Sequence, residues 1–164
     1  MASMAETRWL DDDQQRAWRK LVAVAMLLPA ALDAQLQRDA GLTHFAYLVL
    51  AMLSEAPGRA LRMTQLAARA NSSQSRLSHV VGRLEERGWV RRERSSEDAR
   101  GNVAVLTEAG WDKVVASAPG HVAAARCYIF DSLAPAQVRQ LDKICTAALA
   151  RLDPDGRLSY LPPG

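Results

Sequence analysis

The chain has 164 residues, 49% of them apolar and 24% charged, with a formal net charge of +3. That is the profile of a globular domain long enough for a real hydrophobic core, and it excludes a uniformly basic coat for nucleic acid. Lysine occurs only at Lys20, Lys113 and Lys143, so the placement of the arginines carries more information than the net charge.

The first predicted element is a long helix from about Thr7 to Arg38, with Trp9, Trp18, Leu21, Val22, Leu28, Leu32 and Leu36 near helical spacing. Arg19-Lys20 followed by residues 21–28 imitates a secretory leader, but Asp11-Asp12-Asp13 precedes it and the apolar run stops at Asp33. The run is therefore read as the buried middle of a helix, too short to span a bilayer. Pro29 is expected to kink or interrupt it. Gly41 is a stop signal, and Thr43 caps a second helix through Phe45, Leu48, Val49 and Met52 that ends at Pro57-Gly58.

A short helix is predicted next over residues 61–70, with Thr64 as its cap, followed by a polar turn at Asn71-Ser72. Residues 73–87 then form a strongly amphipathic helix, with Leu77, Val80, Val81 and Leu84 inside and Gly88 as its stop. Residues 89–94 and 102–106 read as two short strands joined by a polar turn, a hairpin. Thr107 caps a long helix that Pro119-Gly120 should kink or break. Pro135 suits the first turn of a final helix through Val138, Leu141, Ile144, Cys145 and Leu149. The expected fold is mainly α with a small β-hairpin wing, a winged helix-turn-helix. Its boundaries are 42–117 for the winged lobe, 4–38 and 118–152 for a helical dimerisation region, and 153–164 for a loose tail.

In a helix-turn-helix the second helix lies in the major groove with its N-terminal residues at the base edges. Small polar side chains there allow close approach, and Ser73-Gln74-Ser75-Arg76 combines them with long donors. Gln74 suits an adenine edge, and Arg76 a guanine or a phosphate. His79 and Arg83 follow on the same outer face. Such faces are commonly only solvated surface, but here no acid occurs between Ser73 and Arg83; acids begin at Glu85 and Glu86. Around the hairpin, Arg91, Arg92, Arg94 and Arg100 gather with Glu97 and Asp98. A projecting wing arginine can enter the minor groove, and Asp98 can orient a neighbouring arginine through a bidentate pair.

Asp98-Ala-Arg100-Gly, followed by Val105-Leu106-Thr107-Glu-Ala-Gly110, resembles the wing signature of the MarR family, named for multiple antibiotic resistance. The stretch from Ser75 to Val90 similarly resembles that family's recognition helix and its exit into the wing, and the order of elements matches from about Thr7 to Leu152. The resemblance implies a cytoplasmic homodimer whose terminal helices interlock, bound to a palindromic DNA operator and acting as a repressor that a small, often phenolic, effector releases. It puts the wing arginine at Arg100 and its partner acid at Asp98. It also places a ligand cleft near Trp18, Leu28, His44, Tyr47 and Leu48, residues for which ordinary core packing is the competing explanation.

Cys127 and Cys145 lie far from any metal or CxxC spacing, and the histidines are scattered. No metal site, cofactor or disulfide is expected. The cysteines read as small buried hydrophobes rather than redox sensors. Paired carboxylates, a nucleophile with its base and a phosphate-binding glycine loop are all missing, so an enzyme is not expected. An architectural DNA-binding protein without an effector remains the alternative.

Overall fold

The structure is a computed structural model describing residues 7–94 and 101–158. Helix α1 (Asp12–Ala40) begins where Asp11 accepts a 2.8 Å hydrogen bond from the Gln14 backbone N–H while Gln14 Oε1 accepts from the Asp11 N–H, a reciprocal cap. The acidic run is thus the helix start itself, five residues beyond the expected Thr7. Gly41, at φ 63°, closes α1 in the left-handed conformation that residues with a Cβ avoid. Helix α2 (His44–Glu55) is capped by Thr43 as predicted, with Thr43 Oγ1 accepting from the Ala46 N–H.

A strand that the sequence pattern did not reveal follows: β1 (Ala60–Arg62). It runs directly into α3 (Met63–Arg69), whose first residue precedes Thr64, so Thr64 sits in the first turn and not at the cap. Gln65 Oε1 accepts from the Arg62 N–H instead. Helix α4 (Gln74–Glu86) is capped by Ser73 Oγ on the Arg76 N–H. Strands β2 (Val90–Arg94) and β3 (Asn102–Leu106) form the expected antiparallel pair, with Arg92 opposite Ala104. β1 pairs on the other side of β3, with Leu61 also opposite Ala104, so the hairpin belongs to a three-stranded sheet of order β1-β3-β2. Three apolar-flanked residues were too short a run to be separated from the helix that follows them.

Helix α5 (Glu108–Tyr128) starts at the predicted Thr107 cap. Thr107 also donates through Oγ1 to the Gly88 carbonyl at 2.7 Å, and its N–H donates to the Trp89 carbonyl, stapling the end of the sheet to the start of α5. Gly110 allows this closeness: a Cβ there would overlap the Trp89 carbonyl oxygen and lie 2.7 Å from Leu106 Cδ1. Of the kink or break expected at Pro29 and Pro119, no break occurs, since α1 and α5 each run through as one helix. Each proline removes one donor, but α1 and α5 pack along one another, and tertiary contact outweighs local propensity. Helix α6 (Pro135–Leu152) starts on Pro135 as expected. Beyond it the Asp153 carboxylate accepts backbone N–H bonds from Arg157 and Leu158.

The core lies in the lobe between Leu42 and Val114, with Leu36 reaching in from α1; Leu50, Leu53, Leu66, Leu77 and Val81 are fully buried. The terminal helices are another matter. Only Leu32, Gln35 and Leu36 of α1 are buried, and α6 buries nothing. Residues 21–28, expected to be buried, are largely exposed in the single chain, Met26 and Leu27 at 72% and 70%. Cys127 and Cys145, expected inside, are also exposed. By length and composition alone α1 is apolar enough to cross a membrane, a test that a buried core helix passes equally.

Candidate nucleic-acid interface

The turn between α3 and α4 is tight because Asn71 takes φ 45° and the Ser72 N–H donates back to the Ala67 carbonyl. Asparagine is among the few residues with a side chain that tolerate that conformation. Burial of Leu77, Val81 and Leu84 fixes the rotation of α4. At about 100° per residue, Ser75, His79 and Glu86 then point straight outward, all three exposed. The flanks differ. Gln74 and Ser78 turn toward the sheet, where they line a cleft with Met63, Arg92 and Asn102. Arg76, Arg83 and Arg87 turn toward the start of α2. There Arg83 and Arg87 line a shallow cleft with Gly41 and Thr43, and the Arg76 guanidinium lies 4.5 Å from the centre of the Phe45 ring.

All six residues singled out by sequence here are exposed, Ser73 as the cap, Ser75 and His79 straight outward, Gln74 on the flank toward the sheet and Arg76 and Arg83 on the flank toward α2. Glu85 has a different role. Its carboxylate accepts from the Arg92 side chain at 2.7 Å and from the Arg92 N–H at 3.0 Å, buckling β2 onto α4, and these bonds hold its pKa below the usual carboxylate value. Arg91 pairs with Glu93 on the same strand. Arg94 is exposed at the end of β2. Asp98 and Arg100, the expected wing pair, lie outside the described residues.

A second cluster forms where α1, α2 and α5 meet. The His44 N–H donates to Asp33 Oδ1 at 2.7 Å. The His121 ring of α5 lies 4.5 Å from the Tyr47 ring and 5.7 Å from the His44 ring, centre to centre. Burial pushes both histidines below their ordinary pKa of 6.5; the nearby Asp33 charge opposes this for His44, and the His44 charge adds to it for His121. Burial raises the Tyr47 phenol, with a contribution from the Glu55 charge. Gln35 Nε2 donates to Asp39, which lowers the Asp39 pKa, while Gln35 Oε1 and His121 Nδ1 are buried with no hydrogen-bond partner among the described residues. Unpaired buried acceptors and donors are costly and rare.

Of the residues assigned to a ligand cleft, the structure brings His44 and Tyr47 together and packs Leu48 against the lobe core. Leu28 instead lines an apolar groove with Leu27, Tyr128 and Ile129. Trp18 precedes Asp33 by about 22 Å along α1, at ~1.5 Å per residue, and stands 56% exposed. His121 and Gln35 were missed: each is an isolated polar residue in its own segment, and only the packing of α5 on α1 and α2 unites them. Among the described residues no group of three or more metal-ligating side chains is present.

The family model described as MarR family matches residues 40–101. Among solved structures, the chain is 47% identical to Sco3205, a MarR family transcriptional regulator from Streptomyces coelicolor determined in complex with DNA. The match covers 90% of this chain and 92% of that one, with a TM-score of 0.85. AbsC, a MarR family transcriptional regulator from the same organism, is 43% identical over 89% of this chain and 98% of its own, with a TM-score of 0.83. CouR from Rhodococcus jostii RHA1 shares the fold at 24% identity and a TM-score of 0.71, over 90% of this chain and 97% of its own. No curated protein matches the chain. Motif, winged lobe and these similarities agree: the chain belongs to the MarR family of transcriptional regulators.

Proposed function

We propose that this chain is a cytoplasmic transcriptional repressor that binds a palindromic DNA operator as a homodimer and is released by a small ligand. The observation that carries the DNA reading is the outer face of α4, which is exposed, free of acids from Ser73 to Arg83 and small and polar at its N-terminal end. Gln74 and Arg76 read bases, Arg83 contacts phosphate, and Ser73, Ser75 and His79 line the approach. Arg94 and Arg100, with Asp98 orienting the latter, serve the wing. That Sco3205 was determined in complex with DNA supports DNA binding, the coarser part of this reading.

Dimerisation follows from what the single chain leaves uncovered. In proteins most helical stability comes from packing an apolar face rather than from propensity, yet α6 buries no residue of its own and carries Ile144 and Leu152 exposed. Each large apolar side chain moved out of water contributes roughly 1.5–3 kcal/mol. Residues 4–38 and 118–152 are accordingly the dimerisation region and 42–117 the DNA-binding lobe, with 153–164 as a tail. A second copy also gives the apolar face of α1 a cover other than a membrane.

The effector reading rests on the α1–α2–α5 junction, where Gln35 Oε1 and His121 Nδ1 await partners beside His44 and Tyr47. Both atoms are closed off from solvent, so a small ligand with polar and aromatic parts would satisfy them by parting the three helices. It releases DNA only if it prefers a lobe spacing that no longer matches successive major grooves. Selection of DNA from a random-sequence pool tests the proposal: a two-fold symmetric sequence with half-sites about one helical turn apart is expected. Recovery of no preferred sequence would favour the architectural alternative.

A further inference from the structure

Arg76 is tethered differently from the arginines of the neighbouring strand: Arg92 is held by Glu85 and Arg91 by Glu93. Arg59 and Arg87 also lie over rings, those of Trp111 and Trp89, but Arg59 is paired with Glu108 as well and Arg87 donates to the Gly41 carbonyl. The Arg76 guanidinium instead rests against the half-buried Phe45 ring, which is anchored in the first turn of α2 and packed against the lobe core. The chemistry of the two tethers differs. A carboxylate occupies the in-plane N–H donors and cancels the charge, whereas an aromatic ring engages the cation through its π-face and competes with neither base edge nor phosphate for those donors. The ring also restricts a side chain that otherwise loses much rotamer freedom on binding.

From this contact we propose that Phe45 is a positioning residue for DNA recognition, holding Arg76 ready for its base or phosphate while leaving its charge unneutralised. The proposal rests on the reading above that Arg76 meets DNA. Phe45 itself touches no nucleic acid in this scheme, and its contribution passes entirely through Arg76.

The test is a double-mutant cycle on a duplex that the unsubstituted protein selects from a random pool, using Phe45→Leu, Arg76→Ala and the double variant, with Phe45→Tyr as the ring-preserving control. Phe45→Leu should weaken binding about two- to fivefold, the range of an exposed cation–π contact, and should cost nothing further once Arg76 is alanine. Phe45→Tyr should bind as the parent does. In the free parent protein the Arg76 side-chain Hε resonance should show a ring-current shift. Equal weakening by Phe45→Leu with and without Arg76 would assign Phe45 a merely structural role and overturn the proposal. A loss with Arg76→Ala but none with Phe45→Leu would sink the proposal alone, whereas full binding by Arg76→Ala would remove Arg76 from the DNA reading as well. An unshifted Arg76 resonance in the parent overturns it without recourse to any variant.

Discussion

The His121 ring on α5 packs 4.5 Å from the Tyr47 ring on α2, and this contact, with His44 beside it, closes the junction between the long helices and the lobe. Both histidines have pKa values below 6.5 because burial disfavours their charged forms. In the unfolded chain they protonate near 6.5, so below that pH the unfolded state binds protons that the folded state refuses, and stability falls with pH. Above about pH 7.5 both states are neutral and the contribution is flat. Thermal melts from pH 8 to pH 5.5 should show a declining Tm that His121→Gln flattens. An unchanged slope in that variant would remove His121 from the effect.

Gly110 should be the least replaceable glycine in the lobe. Gly110→Ala places a Cβ onto the Trp89 carbonyl oxygen and against Leu106, where backbone and a buried side chain must yield together. Overpacking of this kind costs about 1–3 kcal/mol, occasionally more. Denaturant unfolding would read the loss as a lower midpoint at unchanged slope, and a shift below a few tenths of a kcal/mol would mean that the sheet and α5 separate easily.

Leu27→Asp and Ile144→Asp probe the uncovered helices. Both side chains are well exposed in the single chain, 70% and 64%, so a monomeric protein should tolerate either change within about 0.5 kcal/mol. If two copies cover these faces, sedimentation should show a dimer for the parent and monomer or aggregate for the variants. A parent that sediments as a monomer at micromolar concentration would contradict the dimer.

The arginines of the interface should separate by type. Loss of a phosphate contact at Arg83→Ala weakens all sequences alike and reduces the salt slope by about 1. Loss of a bidentate base contact at Gln74→Ala or Arg76→Ala costs about 1–3 kcal/mol and relaxes preference at one base pair. Arg100→Ala should weaken binding strongly with dimerisation intact. Titrations of each variant against the selected duplex and single-base changes in it distinguish these outcomes.

How much could be read in the chain beforehand depended on how local the determinants were. Caps at Thr43 and Thr107 act over three residues and were legible, as was the amphipathic rotation of α4, which Leu77, Val81 and Leu84 set by themselves. β1 was hidden because its three residues run without a turn into α3 and owe their strand geometry to a partner, β3, far along the chain. The persistence of α1 and α5 through Pro29 and Pro119 depends on packing between the helices, which neither segment encodes alone. For the same reason the residues proposed to face DNA emerged from one helix, while the His44–Tyr47–His121 cluster needed three helices to be assembled first.

The most direct measurement is fluorescence-anisotropy titration with the DNA upstream of the protein's own gene and with a scrambled duplex, at several salt concentrations. Tight binding to the first, weak binding to the second and a steep decline with salt are expected, because several phosphates are neutralised and their counterions released. Equal, weak binding to both duplexes, and likewise to the pool-selected sequence, would contradict a sequence-specific repressor.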